Sequence, residues 1–256
     1  MHFFEALELR RGDIIALIGG GGKTTAMYKI GQEAVARGMH TLITTTTKIY
    51  LPTQIKYDVL VESNPTQLGK KIKQRVRPGT PIVIGSGVSN DGKLLGIHQD
   101  VIQDLQHSIG PDLILIEADG AAHKSLKAPA THEPVIPRVA SVVVPVVGID
   151  CLGQMLSPET VHRPEIITQL TGVHQGQLIT SQLIAQIFTH PLGYRKDLPS
   201  ECRWVPFINK VNSRESIKLA REIALSIGKD IPCTVLSGSA HNADPINTLW
   251  SFTFVP

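Results

Sequence analysis

Short apolar runs alternate with stretches in which apolar residues recur every three or four positions along most of the chain. The runs at 13–18 (DIIALI), 40–44, 81–84, 113–117, 141–147, 203–208 and 233–236 predict strands. The intervening segments at 23–37, 66–76, 97–109, 165–170, 181–189 and 213–227 predict helices, the first of them stopped by Gly38. Strands that are apolar throughout and separated by helices imply a parallel sheet covered on both faces. Pro145 inside the run 141–147 has no N–H to give and moves that strand toward an edge or a bulge. The stretch 85–96 (GSGVSNDGKLLG) reads as a hairpin excursion turning at Asn90-Asp91-Gly92. The expected organisation is one α/β domain over residues 1–256, with a small helical lobe at about 149–199.

Composition narrows the classes. The 256 residues are 42% hydrophobic and 18% charged, enough apolar material for a sizeable core. The formal charge of +3, from 25 basic and 22 acidic residues, is too small and too evenly spread to argue for nucleic acid or a membrane surface. No run of about 18 apolar residues suggests a membrane span. The opening MHFFEALELRRGD lacks the layout of a secretory signal, and three widely spaced cysteines read as reduced thiols. These features together predict a cytoplasmic location.

The chemistry begins where the first strand ends. Gly19-Gly20-Gly21-Gly22-Lys23-Thr24-Thr25 lies between a predicted strand and a predicted helix, the context a phosphate-binding loop needs. Glycines let the backbone curl its N–H groups toward an anion, and the helix start adds its dipole. Lys23 is then the partner of the β- and γ-phosphates, Thr24 a magnesium ligand and Thr25 a neighbour of the α-phosphate. The expected ligands are ATP or GTP with Mg2+, in a P-loop NTPase-like fold. Leu17 stands where the fuller motif has its first glycine. Ile18 stands where related nucleotidases carry a dimer-bridging lysine, so that mechanism is not expected.

Other strand ends add to the site. The run 113–116 leads into Glu117-Ala118-Asp119-Gly120, where a carboxylate would hold magnesium through water or orient an attacking water; Glu117 and Asp119 are rivals for that role. Thr44-Thr45-Thr46-Thr47-Lys48 follows the second strand at the usual ligand crevice, with Thr46 and Lys48 as the candidates. Asn209-Lys210-Val211-Asn212 resembles a guanine-reading N-K-x-D element. Asn212 replaces the aspartate, so the bidentate acceptor is lost and a plain strand-end turn fits as well.

The motifs GGGGKTT, TTTTK, EADGA, LKAPATHEPVIP, VVGID and VHRPE, in this order, resemble the YqeC family. The resemblance implies a P-loop protein acting as an accessory factor in maturation of a selenium-dependent molybdenum hydroxylase, with that enzyme or its maturation proteins as partner. Three functions stay open at this point: a Mg2+-dependent NTPase, a small-molecule kinase or transferase with its acceptor under the 118–138 loop, and a non-catalytic nucleotide-binding adaptor. Lys124, Lys127, His123, His132, Glu133, His162 and Arg163 in the middle segment would meet phosphates or a second anionic ligand.

Overall fold

The computed structural model describes residues 1–52 and 56–253. In chain order it contains α1 (Phe3–Ala6), β1 (Asp13–Gly19), α2 (Lys23–Ala36), β2 (Thr41–Thr45), β3 (Lys48–Tyr50), β4 (Asp58–Val61), α3 (Pro65–Arg75) and β5 (Ile82–Gly85). There follow β6 (Gly87–Val88), β7 (Lys93–Leu95), α4 (Gln99–Ile109), β8 (Leu113–Glu117), β9 (Leu126–Lys127), β10 (Val142–Gly148), a 3-10 turn (Ile149–Cys151) and β11 (Val161–His162). The chain continues through α5 (Pro164–Thr171), α6 (Ser181–Thr189), β12 (Arg203–Trp204), β13 (Phe207–Asn209), α7 (Arg214–Asp230), β14 (Thr234–Gly238) and β15 (Ile246–Ser251).

The large sheet runs β4-β5-β2-β8-β1-β10-β13-β14-β15, with β12 also paired to β10. Its pairings are parallel except that β15 lies antiparallel on β14. Alternation within the central strands builds two cores. Ile14, Ala16 and Ile18 of β1 and Ile114 and Ile116 of β8 point to one face, with the apolar stripes of α3, α4, α5, α6 and α7. Ile15 and Leu17 of β1 and Leu113 and Leu115 of β8 point to the other, against α1 and α2. Each such leucine or isoleucine side chain, removed from water, contributes roughly 1.5–3 kcal/mol. The fold is thus α/β with a mostly parallel sheet and helices on both faces, of the P-loop NTPase-like kind. Apolar residues of α5 and α6, within the expected 149–199 lobe, join the same core as α7 and the sheet.

Because the central strands are parallel, their carboxyl ends share one edge. Gly19, Thr45, Glu117, Gly148 and Asn209 end β1, β2, β8, β10 and β13, and they meet there. Helix starts are locally coded: Asn64 accepts from Gln67 N–H before Pro65, Thr180 accepts from Leu183 N–H, and Ser213 and Ser216 form a reciprocal box at the start of α7. The expected 85–96 hairpin is present as β6 and β7, with β3 added to make a three-stranded sheet.

Two expectations need correction. β10, which holds Pro145, is interior and not an edge, lying between β1 and β13. Val146 C=O faces β1, where it accepts from Gly20 N–H, whereas Val143 C=O faces β12 and accepts from Val205 N–H. Pro145 follows the register of Val143, so its missing N–H falls opposite the gap between β12 and β13. That gap is the second correction: 203–208 is two short strands, interrupted at Val205-Pro206, and no single run. The sequence reading omitted α1, β3, β4, β9, β11 and β15. Most are too short to show a period, and β15 is an edge strand whose burial alternates with exposure.

Candidate functional site

The four glycines of the loop are required by what surrounds them. Gly19, Gly21 and Gly22 have φ of 91°, 76° and 113°, the left-handed region. A Cβ would lie 2.4 Å from Val146 O at Gly19, 2.7 Å from Lys124 O at Gly20, 2.1 Å from Gly148 N at Gly21 and 2.4 Å from Asn209 Nδ2 at Gly22. The loop is therefore wedged between the ends of β10 and β13 and the 120–125 segment. Three of its N–H groups are engaged within the protein: Gly19 with Asp119 Oδ2 at 2.9 Å, Gly20 with Val146 O at 2.8 Å and Gly21 with Lys124 O at 2.9 Å. The first turn of α2 starts at Gly22, where N–H groups have no partner one turn back.

Lys23 is buried at this helix start and its Nζ donates to Gly19 O at 2.6 Å. It lies 3.1 Å from Asp119 Oδ1 and 3.7 Å from Glu117 Oε1. Burial works against its charge, but Asp119 and Glu117 outweigh burial and hold its pKa above a lysine's ordinary value. Burial likewise pushes the Glu117 carboxyl up, against the pull of Lys23 and of the Thr24 hydroxyl, which donates to Glu117 Oε2 at 2.6 Å. A hydroxyl and a carboxylate side by side are hard oxygen donors of the kind Mg2+ takes beside phosphates, so Thr24 and Glu117 fit that ion. Asp119 instead faces inward, with Oδ2 held by Gly19 N–H and lying 3.0 Å from Lys127 Nζ. Among the described residues, no group of three or more His, Cys, Asp and Glu is placed to hold a metal ion by itself.

Asp119 begins a buried chain of alternating charge. Lys127, fully buried, donates to Glu133 Oε2 and to Gly120 O, both at 2.6 Å. Arg163 closes on Glu133 from the N-terminal end of α5. Against the raising effect of burial, Arg163 and Lys127 bring the Glu133 carboxyl down to about 2. Lys196 ties the same loop by donating to the carbonyls of Ala130, Thr131 and Glu133. Beneath it, Tyr194 donates to Lys127 O at 2.9 Å.

The loop opens onto a cleft of about 490 Å3 that includes Thr24, Thr25, Glu117 and five lysines, Lys23, Lys48, Lys93, Lys124 and Lys210. Lys48 is exposed on β3, and among the described residues it has no ion-pair partner. Tyr50, two positions on, stacks near His123 at 5.5 Å and carries the Lys93 ammonium at 5.0 Å from its ring centre. Tyr50 and Lys93 escaped the sequence reading. The only available signal was the continuation of TTTTK into Ile49-Tyr50, since Lys93 arrives from a hairpin distant in the chain.

Some candidates are placed elsewhere than a ligand-facing position. The Thr46 hydroxyl donates to Val135 O at 2.8 Å, holding the 118–138 loop. Asn209 is buried with both amide ends in use: Nδ2 donates to Gly21 O at 2.7 Å, and Oδ1 accepts from Ala240 N–H at 3.0 Å. Lys210 lines the cleft, but its ammonium donates to Ser125 Oγ and Asp150 Oδ2, both at 2.8 Å. No helix of the described residues is long and apolar enough to cross a membrane.

Comparison with known proteins adds two findings. A model of the family described as YqeC protein matches residues 15–165, which takes in the glycine loop, Glu117, Asp119 and the Glu133–Arg163 pair. The protein named "Uncharacterized protein YqeC" of Escherichia coli (strain K12) is 34% identical over 209 residues, covering 81% of this chain and 79% of that one.

Proposed function

We propose that this chain, which belongs to the YqeC family, binds ATP or GTP with Mg2+ and hydrolyses it as an accessory factor in maturation of a selenium-dependent molybdenum hydroxylase. One observation carries the nucleotide reading: a glycine loop, in which any Cβ would clash, brings Lys23 and Thr24 to the start of α2, where Glu117 meets them from the end of β8. The free N–H groups of that helix turn and Lys23 suit the phosphates. Thr24 and Glu117 would hold Mg2+, which supplies charge neutralisation at the terminal phosphates when bound. Glu117, which lines the cleft, would then orient the attacking water, and inward-facing Asp119 would act on the charge and position of Lys23.

Calorimetric titration of the wild type and Lys23→Ala with ATP and GTP tests the core of this reading. Binding by the wild type and at least about a hundredfold loss in the variant are expected. Equal affinity in both would remove the phosphate-loop assignment. The pathway rests on the family resemblance of the middle motifs. Its test is the hydroxylase purified from cells lacking this chain: depleted selenium or molybdenum by elemental analysis is expected, and normal content would discard the role.

Phosphoryl transfer to a small molecule is the second reading. It is favoured by Lys48, Lys93 and His123, which line the same cleft as the loop. Phosphate release without added acceptor separates hydrolysis from transfer. Nucleotide binding with no turnover under either condition identifies an adaptor.

A further inference from the structure

The groups that would read a base at Asn209–Asn212 are already engaged. Asn209 has both amide ends bonded within the protein, Lys210 is held by Ser125 and Asp150, and Asn212 accepts from Asn242 at 3.3 Å. A different surface continues from the phosphate loop. Thr24, Thr25 and Tyr50 form a wall shared by the lysine cleft and a second chamber of about 450 Å3. That chamber runs along one face of α2, through Tyr28 and Gln32, to Tyr57 and to His241 beyond the end of β14. The spacing of Thr24, Tyr28 and Gln32 is one helical turn each, so they form a continuous stripe leading away from the loop.

We infer that the nucleoside half of the bound nucleotide occupies this second chamber, with its base on Tyr28 and its edge read by Gln32, and that adenine is favoured over guanine. The inference rests on the phosphate-loop reading above. The chamber has the features a base needs: the Tyr28 and Tyr57 rings meet at 4.7 Å with a 41° tilt, leaving a broad aromatic wall. The Tyr28 hydroxyl is buried with no hydrogen-bond partner among the described residues. Gln32 Nε2 donates to Tyr57 Oη at 2.5 Å, which fixes the carboxamide beside the rings. A carboxamide presents a donor and an acceptor together, the complement of adenine's amino group and adjacent ring nitrogen. Guanine's N1 and N2 donors call for paired acceptors, and among the described residues no Asp or Glu lines the chamber. Thr25 lies on the shared wall, where the α-phosphate would pass from one compartment to the other.

Calorimetry with ATP, GTP and inorganic tripolyphosphate tests the placement, because tripolyphosphate has no base. Tyr28→Ala is expected to weaken ATP binding about tenfold or more while leaving tripolyphosphate within about twofold. Tyr28→Phe, which keeps the ring, is expected to retain most of the ATP affinity and guards against a merely misfolded alanine variant. The wild type should prefer ATP to GTP by about tenfold, and Gln32→Leu should erase that preference. If tripolyphosphate binds but ATP is insensitive to Tyr28→Ala, or GTP binds more tightly than ATP, this inference is overturned alone. If the wild type binds no tripolyphosphate, the phosphate-loop reading fails and takes this one with it.

Discussion

Gly21 and Gly38 share a φ of about 75° but not a neighbourhood. At Gly38 nothing lies within 4 Å of an added Cβ, so Gly38→Ala meets only the backbone cost, about 1–2 kcal/mol. At Gly21 the Cβ would lie inside the backbone of Gly148, so Gly21→Ala must displace the loop itself. We expect it to cost more stability than Gly38→Ala and to abolish triphosphate binding, whereas Gly38→Ala binds normally. Thermal unfolding with titration of both variants decides this, and equal binding would mean the loop tolerates a shift. Glu117 and Asp119 pose a second residue-scale question. On the proposed hydrolysis, Glu117→Gln and Asp119→Asn are expected to lower kcat at least about tenfold with little rise in KM, because both would act on the charge around the reacting phosphate. Turnover at the wild-type rate in both would discard their role. The sequence makes the placement of Lys23, Thr24 and Glu117 at strand ends legible, because each lies at a fixed spacing from an apolar run. It hides the different partners of Glu117 and Asp119, which depend on the side of the strand end each faces. Nor could Asn209 be assigned from its motif, since its partners, Gly21 and Ala240, lie far away in the chain.

At the scale of elements, the long helices and the apolar strands were readable because their periods span several repeats, and their ends carry local signals. The start of α7 is one: Ser213 accepts from Ser216 N–H, so Ser213→Ala should cost roughly 1 kcal/mol of stability, measured by urea unfolding. No change would mean that Ser216 caps the helix by itself. The short strands were not readable, because two or three residues have no period and exist only through their partners. β9 pairs with β11 across more than thirty residues of chain, and β12 and β13 are separate because Pro206 interrupts the ladder. The segment after β13 yields a prediction as well. Asn212 lies in an exposed pair with Asn242, away from the cleft lining, so Asn212→Asp is expected to leave GTP affinity unchanged within about twofold. A specific gain for GTP in competition binding would return the base to this turn.

Across the whole molecule, the glycine loop is joined to α5 by a chain of charges, Lys23, Asp119, Lys127 and Glu133, all buried, closed by half-buried Arg163. The Glu133 carboxyl, held at about 2, contributes stability that is present above the ordinary carboxylate pKa and lost as pH falls toward 2. Urea unfolding of the wild type should therefore weaken more between pH 7 and pH 3 than that of Glu133→Gln. An identical pH dependence would mean the pair with Lys127 and Arg163 adds nothing. At the near end of the same chain, Lys23 already has two carboxylates and a carbonyl for company. A phosphate does not meet an idle ammonium; it has to draw Lys23 away from partners that fit it well. A weakly charged anion would compete poorly with those partners, and a ligand bringing several charges at once would compete better. On the phosphate-loop reading, the loop would then act as a threshold, admitting a triphosphate more readily than a monophosphate because of the contest it offers.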